Sequence, residues 1–136
     1  MYEKLKSIAL RILPSDFIRR NESTLRQFIA WRYRGSAFQC NLCHFEMRTF
    51  IQLANGDQIC PRCGSLPRTR RLWHLMQGEV EDKELLHFSP SAPIRRQFAQ
   101  ASVSRYVTTD YEGEFEADKK LDITAMEELD ASYDIV

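Results

Sequence analysis

Four cysteines stand in two matched knuckles, Cys40-x-x-Cys43 and Cys60-x-x-Cys63, with sixteen residues between them. Within each knuckle the turn can point both sulfurs to one side, so the pair can grip one ion. Two such pairs can bring four thiolates to the corners of a tetrahedron around Zn²⁺, with Zn–S bonds of about 2.3 Å. Pro61 fixes a backbone angle in the second knuckle, and Gly64, just after its last cysteine, permits a positive one. Four cysteine ligands leave no position open for water, which points to a structural metal rather than a catalytic one. His44 is a chemically competent rival ligand, expected to face solvent. Two other readings stay open. An iron–sulfur centre or a redox role uses the same residues, although a thioredoxin-like pair needs one CxxC at a strand-to-helix junction rather than two matched knuckles. Two disulfides need an oxidising compartment, and no secretory signal pattern precedes the cysteines. Zinc is the expectation.

The elements around these residues follow from periodicity and turn chemistry. Residues 3–13 predict an amphipathic basic helix, with Leu5, Ile8, Ala9, Ile12 and Leu13 at helical spacing and Pro14 as its stop. A second helix is expected from Glu22 to Arg34, capped by Asn21 or Ser23, sharing Leu25, Phe28 and Ile29 on one face and ended by Gly35. Short strands are expected at Phe38 to Cys40, Thr49 to Leu53 and Gln58 to Cys60. Asn55-Gly56 is the hairpin turn between the last two, with Phe45 and Phe50 as the small core. Residues 36–64 thus read as a zinc ribbon, too small to fold without its metal. A helix is expected after Ser65, with Pro67 in its first turn, Leu72, Leu75 and Met76 buried and Gly78 closing it. Arg68, Arg70 and Arg71 read as a solvated face that can also meet phosphate. Trp73 and His74 read as packing and surface.

From residue 84 the rhythm changes. Glu84 to Phe88 predicts a strand, and Ser91 to about Ala101 a helix with Ile94 and Phe98 inward. Val103 to Thr109, ending in Asp110, predicts a second strand, Lys119 to Ile123 a third, and Ala131 to Val136 a fourth. Helices between strands mark the opening of a parallel, doubly wound sheet. The fold class expected is therefore α/β: helical leader over 1–35, zinc ribbon with following helix over 36–78, and the first half of a Rossmann-like sheet over 79–136.

The net charge of zero hides a division. Residues 1–75 hold thirteen Lys/Arg against five Asp/Glu, and residues 76–136 hold six against fourteen. A basic first half can attract nucleic acid or an acidic surface, or simply neutralise the acidic half. No apolar run approaches the about 20 residues of a transmembrane helix, so the expectation is a cytoplasmic protein. A basic amphipathic helix at 3–13 can also lie on a membrane surface.

The series Leu85-Leu86-His87-Phe88-Ser89-Pro90, Tyr106-Val107-Thr108-Thr109-Asp110, Leu121-Asp122-Ile123-Thr124 and Tyr133-Asp134-Ile135-Val136 resembles the first half of a class I S-adenosylmethionine-dependent methyltransferase. It is most similar to bacterial methyltransferase type 11-like proteins with a four-cysteine leader, whose second knuckle continues much as Cys60-Pro61-Arg62-Cys63-Gly64-Ser65-Leu66-Pro67-Arg68 does. The resemblance spans roughly residues 38–136. It implies that His87, Phe88, Ser89 and Pro90 border the cofactor beyond the first strand, beside the helix start at Ser91 and Ala92. It also implies that Asp110 takes the ribose hydroxyls, and that Asp122 meets the adenine amine with Ile123 beside the ring. One departure is plain: the family's Gly-rich turn is missing, with no glycine between Gly78 and Gly113. The resemblance further implies strand order 3-2-1-4 and an N-terminal part of a longer enzyme, inactive by itself.

The function expected is thus an S-adenosylmethionine-dependent methyltransferase with a structural Zn²⁺ site. The methyl acceptor, any general base and the oligomeric state stay unknown. The alternative is a non-enzymatic zinc-ribbon module that binds nucleic acid or protein through its basic half.

Overall fold

The computed structural model describes residues 22–136 of the chain. The helix expected over 3–13, its stop at Pro14 and a cap at Asn21 lie outside the described residues. Two compact units divide the chain, up to Arg70 and from Arg71 onward. No helix among the described residues is long and apolar enough to cross a membrane.

The first unit begins with α1, Glu22–Tyr33, so Ser23 lies within the helix rather than at its cap. Its inward residue is Ala30, 3% exposed, whereas Leu25 and Phe28 of the expected buried face are exposed, Phe28 by 76%. Helical spacing says which residues share a face, not which face finds a partner. Gly35 does not end the helix. Tyr33 leads directly into β1, Arg34–Gln39. The last turn of α1 is closed by Arg48 instead, whose Nη2 donates to Arg32 O at 2.7 Å and whose backbone N–H donates to Tyr33 O at 2.9 Å. A cation at a helix C-terminus also suits the dipole. Gly35 answers the same contact: a Cβ there would lie 2.8 Å from both Cβ and N of Arg48, so only a glycine lets the two backbones meet.

β1 pairs antiparallel with β2, Glu46–Met47, so the first knuckle is the turn between them. β3, Ile51–Gln52, pairs antiparallel with β4, Gln58–Ile59. The turn signal at Asn55-Gly56 corresponds to a real turn: Gly56 has φ +88°, Leu53 N–H donates to Asp57 O, and Asn55 Oδ1 accepts from Asp57 N–H at 3.1 Å. The buried side chains of the ribbon include Leu42, Phe45, Met47, Ile51 and Ile59. Phe50 is not among them. Its ring meets Phe38 at 5.8 Å and carries the Arg70 guanidinium 4.3 Å above it. Arg70 also donates to Ser65 O and Gln58 O, so it ties the second knuckle to β4 rather than standing as a solvated charge.

The helix after Ser65 is α2, Pro67–Met76, and the boundary between the units falls inside it. Its buried residue is Thr69. Leu72 and Leu75, expected to be buried, are 39% and 54% exposed. α2 ends in a turn over residues 77–79 that contains Gly78, with Gln77 N–H donating to Trp73 O and Glu79 N–H to Met76 O; the φ of Gly78 is not positive.

The second unit is built on parallel strands. β5, Glu84–Phe88, pairs with β6, Arg105–Asp110, and β6 pairs with the short β7, Lys119–Lys120. On the free side of β5, Leu85 bridges Ile135 in parallel. The spatial order is therefore β7, β6, β5, Ile135. Two expected strands are much shorter than their β-branched and apolar residues suggested: the third stops at Lys120, and the fourth is a single bridge. Asp122 turns the chain, because its Oδ1 takes both Thr124 N–H and Thr124 Oγ1. Between β5 and β6 lies α3, Ala92–Gln100. Ser91 is its N-cap by position, but its hydroxyl makes no capping bond. Ile94 and Phe98 are the buried residues of α3, and the Phe98 ring meets His87 of β5 and Tyr106 of β6; Val80, Leu85, Leu86, Thr108 and Thr109 are also buried.

Candidate functional site

The two knuckles have the same backbone. Cys40 N–H donates to Phe45 O at 3.1 Å and His44 N–H to Cys40 O at 2.8 Å; Cys60 N–H donates to Ser65 O at 3.0 Å and Gly64 N–H to Cys60 O at 3.0 Å. Gly64 and His44 occupy equivalent positions and both are left-handed, with φ of +76° and +53°. Thus His44 does in the first knuckle, under strain, what glycine does in the second. Its side chain is exposed, not turned in as a fifth candidate ligand. The sequence signal for this was the symmetry of the knuckles itself. His44→Gly should therefore stabilise the ribbon by roughly 0.5–1 kcal/mol, the left-handed penalty less the flexibility of glycine. A urea midpoint that moves down instead would remove strain from the account.

The repeated turns bring the four sulfurs together, all within 4.8 Å of one another. Cys40 and Cys63 Sγ are 3.8 Å apart and Cys43 and Cys60 Sγ 3.7 Å. A tetrahedron with Zn–S bonds of about 2.3 Å has edges of about 3.8 Å. A disulfide needs about 2.05 Å, and all four thiols are free. A cluster of several irons, each holding its own cysteine, would need the sulfurs farther apart. The geometry fits one ion.

Electrostatics point the same way. Hydrogen bonds from Cys43, then Cys60 and Cys63, pull the Cys40 thiol down. The bond with Cys40 pushes Cys43 and Cys60 up, and burial adds to both. Cys40 and Cys60 are fully buried. Four thiolates in that space repel one another unless a cation neutralises them. Two supporting residues carried no signal in the cysteine pattern. Ser65, 1% exposed, places its Oγ 3.2 Å from Cys63 Sγ and 3.5 Å from Cys40 Sγ, where it can donate to a thiolate. Arg26 lays its guanidinium on Gly64, since a Cβ there would sit 2.8 Å from Arg26 Cζ.

The second group of candidates lies at the carboxyl ends of β5 and β6. Asp110 ends β6 and is 8% exposed. Its Oδ1 accepts from Ser89 Oγ at 2.6 Å, and its Oδ2 accepts from Glu114 N–H at 2.8 Å and Phe115 N–H at 3.4 Å. These bonds, Ser89 first, hold its carboxyl below the usual range. Ser89 is exposed and left-handed, with φ +44°, in the turn where glycine is lacking. Its N–H also returns to Thr109 O. Asp118, not singled out in the sequence, binds Thr108 N–H and Oγ1 through Oδ2 and so closes the other end of the β6–β7 loop.

The remaining candidates are placed differently. His87 does not reach the strand end. Its ring sits 5.5 Å from Phe98 and 6.2 Å from Tyr106, with Nδ1 3.2 Å from Tyr106 Oη, and burial lowers its pKa. Trp73 meets Phe98 edge-on at 5.5 Å, so it packs as expected. Phe88 is half-buried and Pro90 buried. Asp122 keeps one oxygen outside its Thr124 turn, and Ile123 is 68% exposed. No protein-family model, curated protein or solved structure matches this chain.

Proposed function

We propose that this chain carries the cofactor-binding portion of a class I S-adenosylmethionine-dependent methyltransferase, steadied by a structural zinc ribbon. The supporting observation is the strand order. The chain runs from β5 outward to β6 and β7, then returns to the far side of β5 at Ile135. That reversal makes the end of β5 a topological switch point, where open α/β sheets of the Rossmann-like kind bind ligands. Asp110 stands at the end of the adjacent strand.

Charge favours a nucleoside over a nucleotide there. The turn Ser89-Pro90-Ser91-Ala92 has neither glycine nor a basic residue to cradle phosphate, and the loop tied to Asp110 exposes Glu112 and Glu114. S-adenosylmethionine has no phosphate, and its sulfonium is cationic. In this reading Asp110 orients the ribose, Ser89 and Pro90 border the sugar, and Asp122 with Ile123 meets the adenine. When bound, the cofactor supplies an electrophilic methyl group. The chain's own part is to hold that group in line for an acceptor. Cys40, Cys43, Cys60 and Cys63 hold the zinc, with no role in the transfer.

A titration of the isotope-labelled 136-residue chain with S-adenosylmethionine tests the reading, because NMR also detects weak binding. Amide shifts should concentrate at Ser89, Asp110 and Asp122. No shift at millimolar cofactor would sink it. One observation favours the non-enzymatic alternative: Phe28 and Trp31 of α1 are 76% and 79% exposed beside the exposed Arg32 and Arg34. Aromatic and basic residues together suit single-stranded nucleic acid. Shifts at these residues with an oligonucleotide, and none with the cofactor, would make that reading the better one.

A further inference from the structure

We propose that Ser89 is the positioning residue of the strand-end site: its hydroxyl fixes the Asp110 carboxylate so that one acceptor position stays open for a sugar hydroxyl of an unphosphorylated nucleoside. The ligand class rests on the reading above; the Ser89–Asp110 coupling does not.

A carboxylate has about four acceptor positions. In Asp110 one position on Oδ1 is taken by Ser89 Oγ and two on Oδ2 by Glu114 and Phe115 N–H, with the Gly113 N–H of the same loop also close to the carboxylate. The second position on Oδ1 lies next to the Ser89 oxygen, which can itself accept a hydrogen bond. Asp110 cannot grip two vicinal hydroxyls with both oxygens unless the β6–β7 loop lets go. Oδ1 and Ser89 Oγ together can take one hydroxyl each, with the loop in place.

Only the backbone of Ser89 makes this possible. At φ +44° the residue is where an L side chain is strained, yet there its Oγ comes within 2.6 Å of Oδ1. A glycine would adopt the turn without strain and would leave Oδ1 unheld. The missing glycine and the occupied carboxylate are thus one feature. Ser89 is exposed while Asp110 is nearly buried, so a ligand reaches the carboxylate past the serine.

Three full-length variants test this: Ser89→Ala, Ser89→Gly and Ser89→Asn. Asparagine accepts the left-handed backbone and can donate from its side-chain amide. Two readouts are followed, the midpoint of the Asp110 carboxyl by carbon NMR and the dissociation constants of adenosine and S-adenosylmethionine. In Ser89→Ala and Ser89→Gly the midpoint should rise and both ligands weaken on the order of tenfold, the usual effect of losing a hydrogen bond to a charged group. Ser89→Asn should restore both. AMP should bind less well than adenosine to the unaltered chain. An unchanged midpoint in Ser89→Ala and Ser89→Gly overturns the role of Ser89, whatever binds. A raised midpoint with no nucleoside binding by the unaltered chain overturns the cofactor reading instead, and the ligand class with it.

Discussion

Purified without added metal, the chain is expected to hold zinc in a one-to-one ratio, and any single Cys→Ser change at 40, 43, 60 or 63 should release it. The first unit should then unfold over residues 36–64, while the sheet of β5 and β6 keeps its amide protection. The size of the effect follows from the small core. Leu42, Phe45, Met47, Ile51 and Ile59 are buried, but β2, β3 and β4 are two residues each. So little burial cannot offset ordering entropy alone, whereas structural zinc contributes about 10–16 kcal/mol in comparable small domains. Acid should act in the same direction. The metal site needs thiolates, so the folded, loaded state binds fewer protons than the unfolded chain. Stability is therefore present near and above the ordinary thiol pKa and is lost as pH falls. Elemental analysis and hydrogen exchange on the Cys60→Ser chain check this. A ribbon that stays protected without metal, or with disulfides, would overturn it.

Replacing Asp110 by alanine should have the largest effect on the strand-end site. S-adenosylmethionine binding should weaken tenfold or more, as expected for lost hydrogen bonds to a charged group, with zinc retained. The same change removes the acceptor for Glu114 and Phe115 N–H, so the β6–β7 loop should exchange faster. Asp110→Asn separates the two roles. Its carbonyl can still take the loop amides, but the charge is gone, so it should keep the loop and still lose affinity. Equal affinity in all three proteins, measured calorimetrically, would leave Asp110 as a loop anchor only. The pH dependence has a definite sign. The Asp110 carboxyl is depressed, so its bonds to Ser89 and the loop are intact above the ordinary carboxylate pKa. They are lost as pH falls through its lower folded value.

Much of the strand-end site was invisible in one dimension. Ser89 gave no sign of its left-handed backbone, because serine has no local preference for it; the bonds to Thr109 O and Asp110 impose it. His87 looked like a strand-end residue by order along the chain. Its side chain nonetheless faces the α3 side of the sheet, where Phe98 and Tyr106 enclose it. Asp118 attracted no attention because its partner, Thr108, is ten residues away. Helix α1 shows the converse failure. Helical spacing puts Leu25, Phe28 and Ile29 on one face, yet Leu25 is 37% and Phe28 76% exposed, and Ala30 is the buried residue.

The sequence by itself determined the features whose physics is local. A CxxC turn aims two sulfurs the same way wherever it occurs, so the four candidate metal ligands were readable from spacing alone. The Asn55-Gly56 turn, strand β5 and the helix with Pro93 in its first turn are local in the same sense, set by backbone preference and short-range periodicity. Only the tertiary structure decided what depends on partners distant in the chain. Among these are the 3.7–3.8 Å sulfur edges across the knuckles, the return of Ile135 to the free side of β5, and the filled positions of the Asp110 carboxylate. Each is a contact between segments that no local preference brings together; packing selects them, and a pattern read along the chain does not contain them.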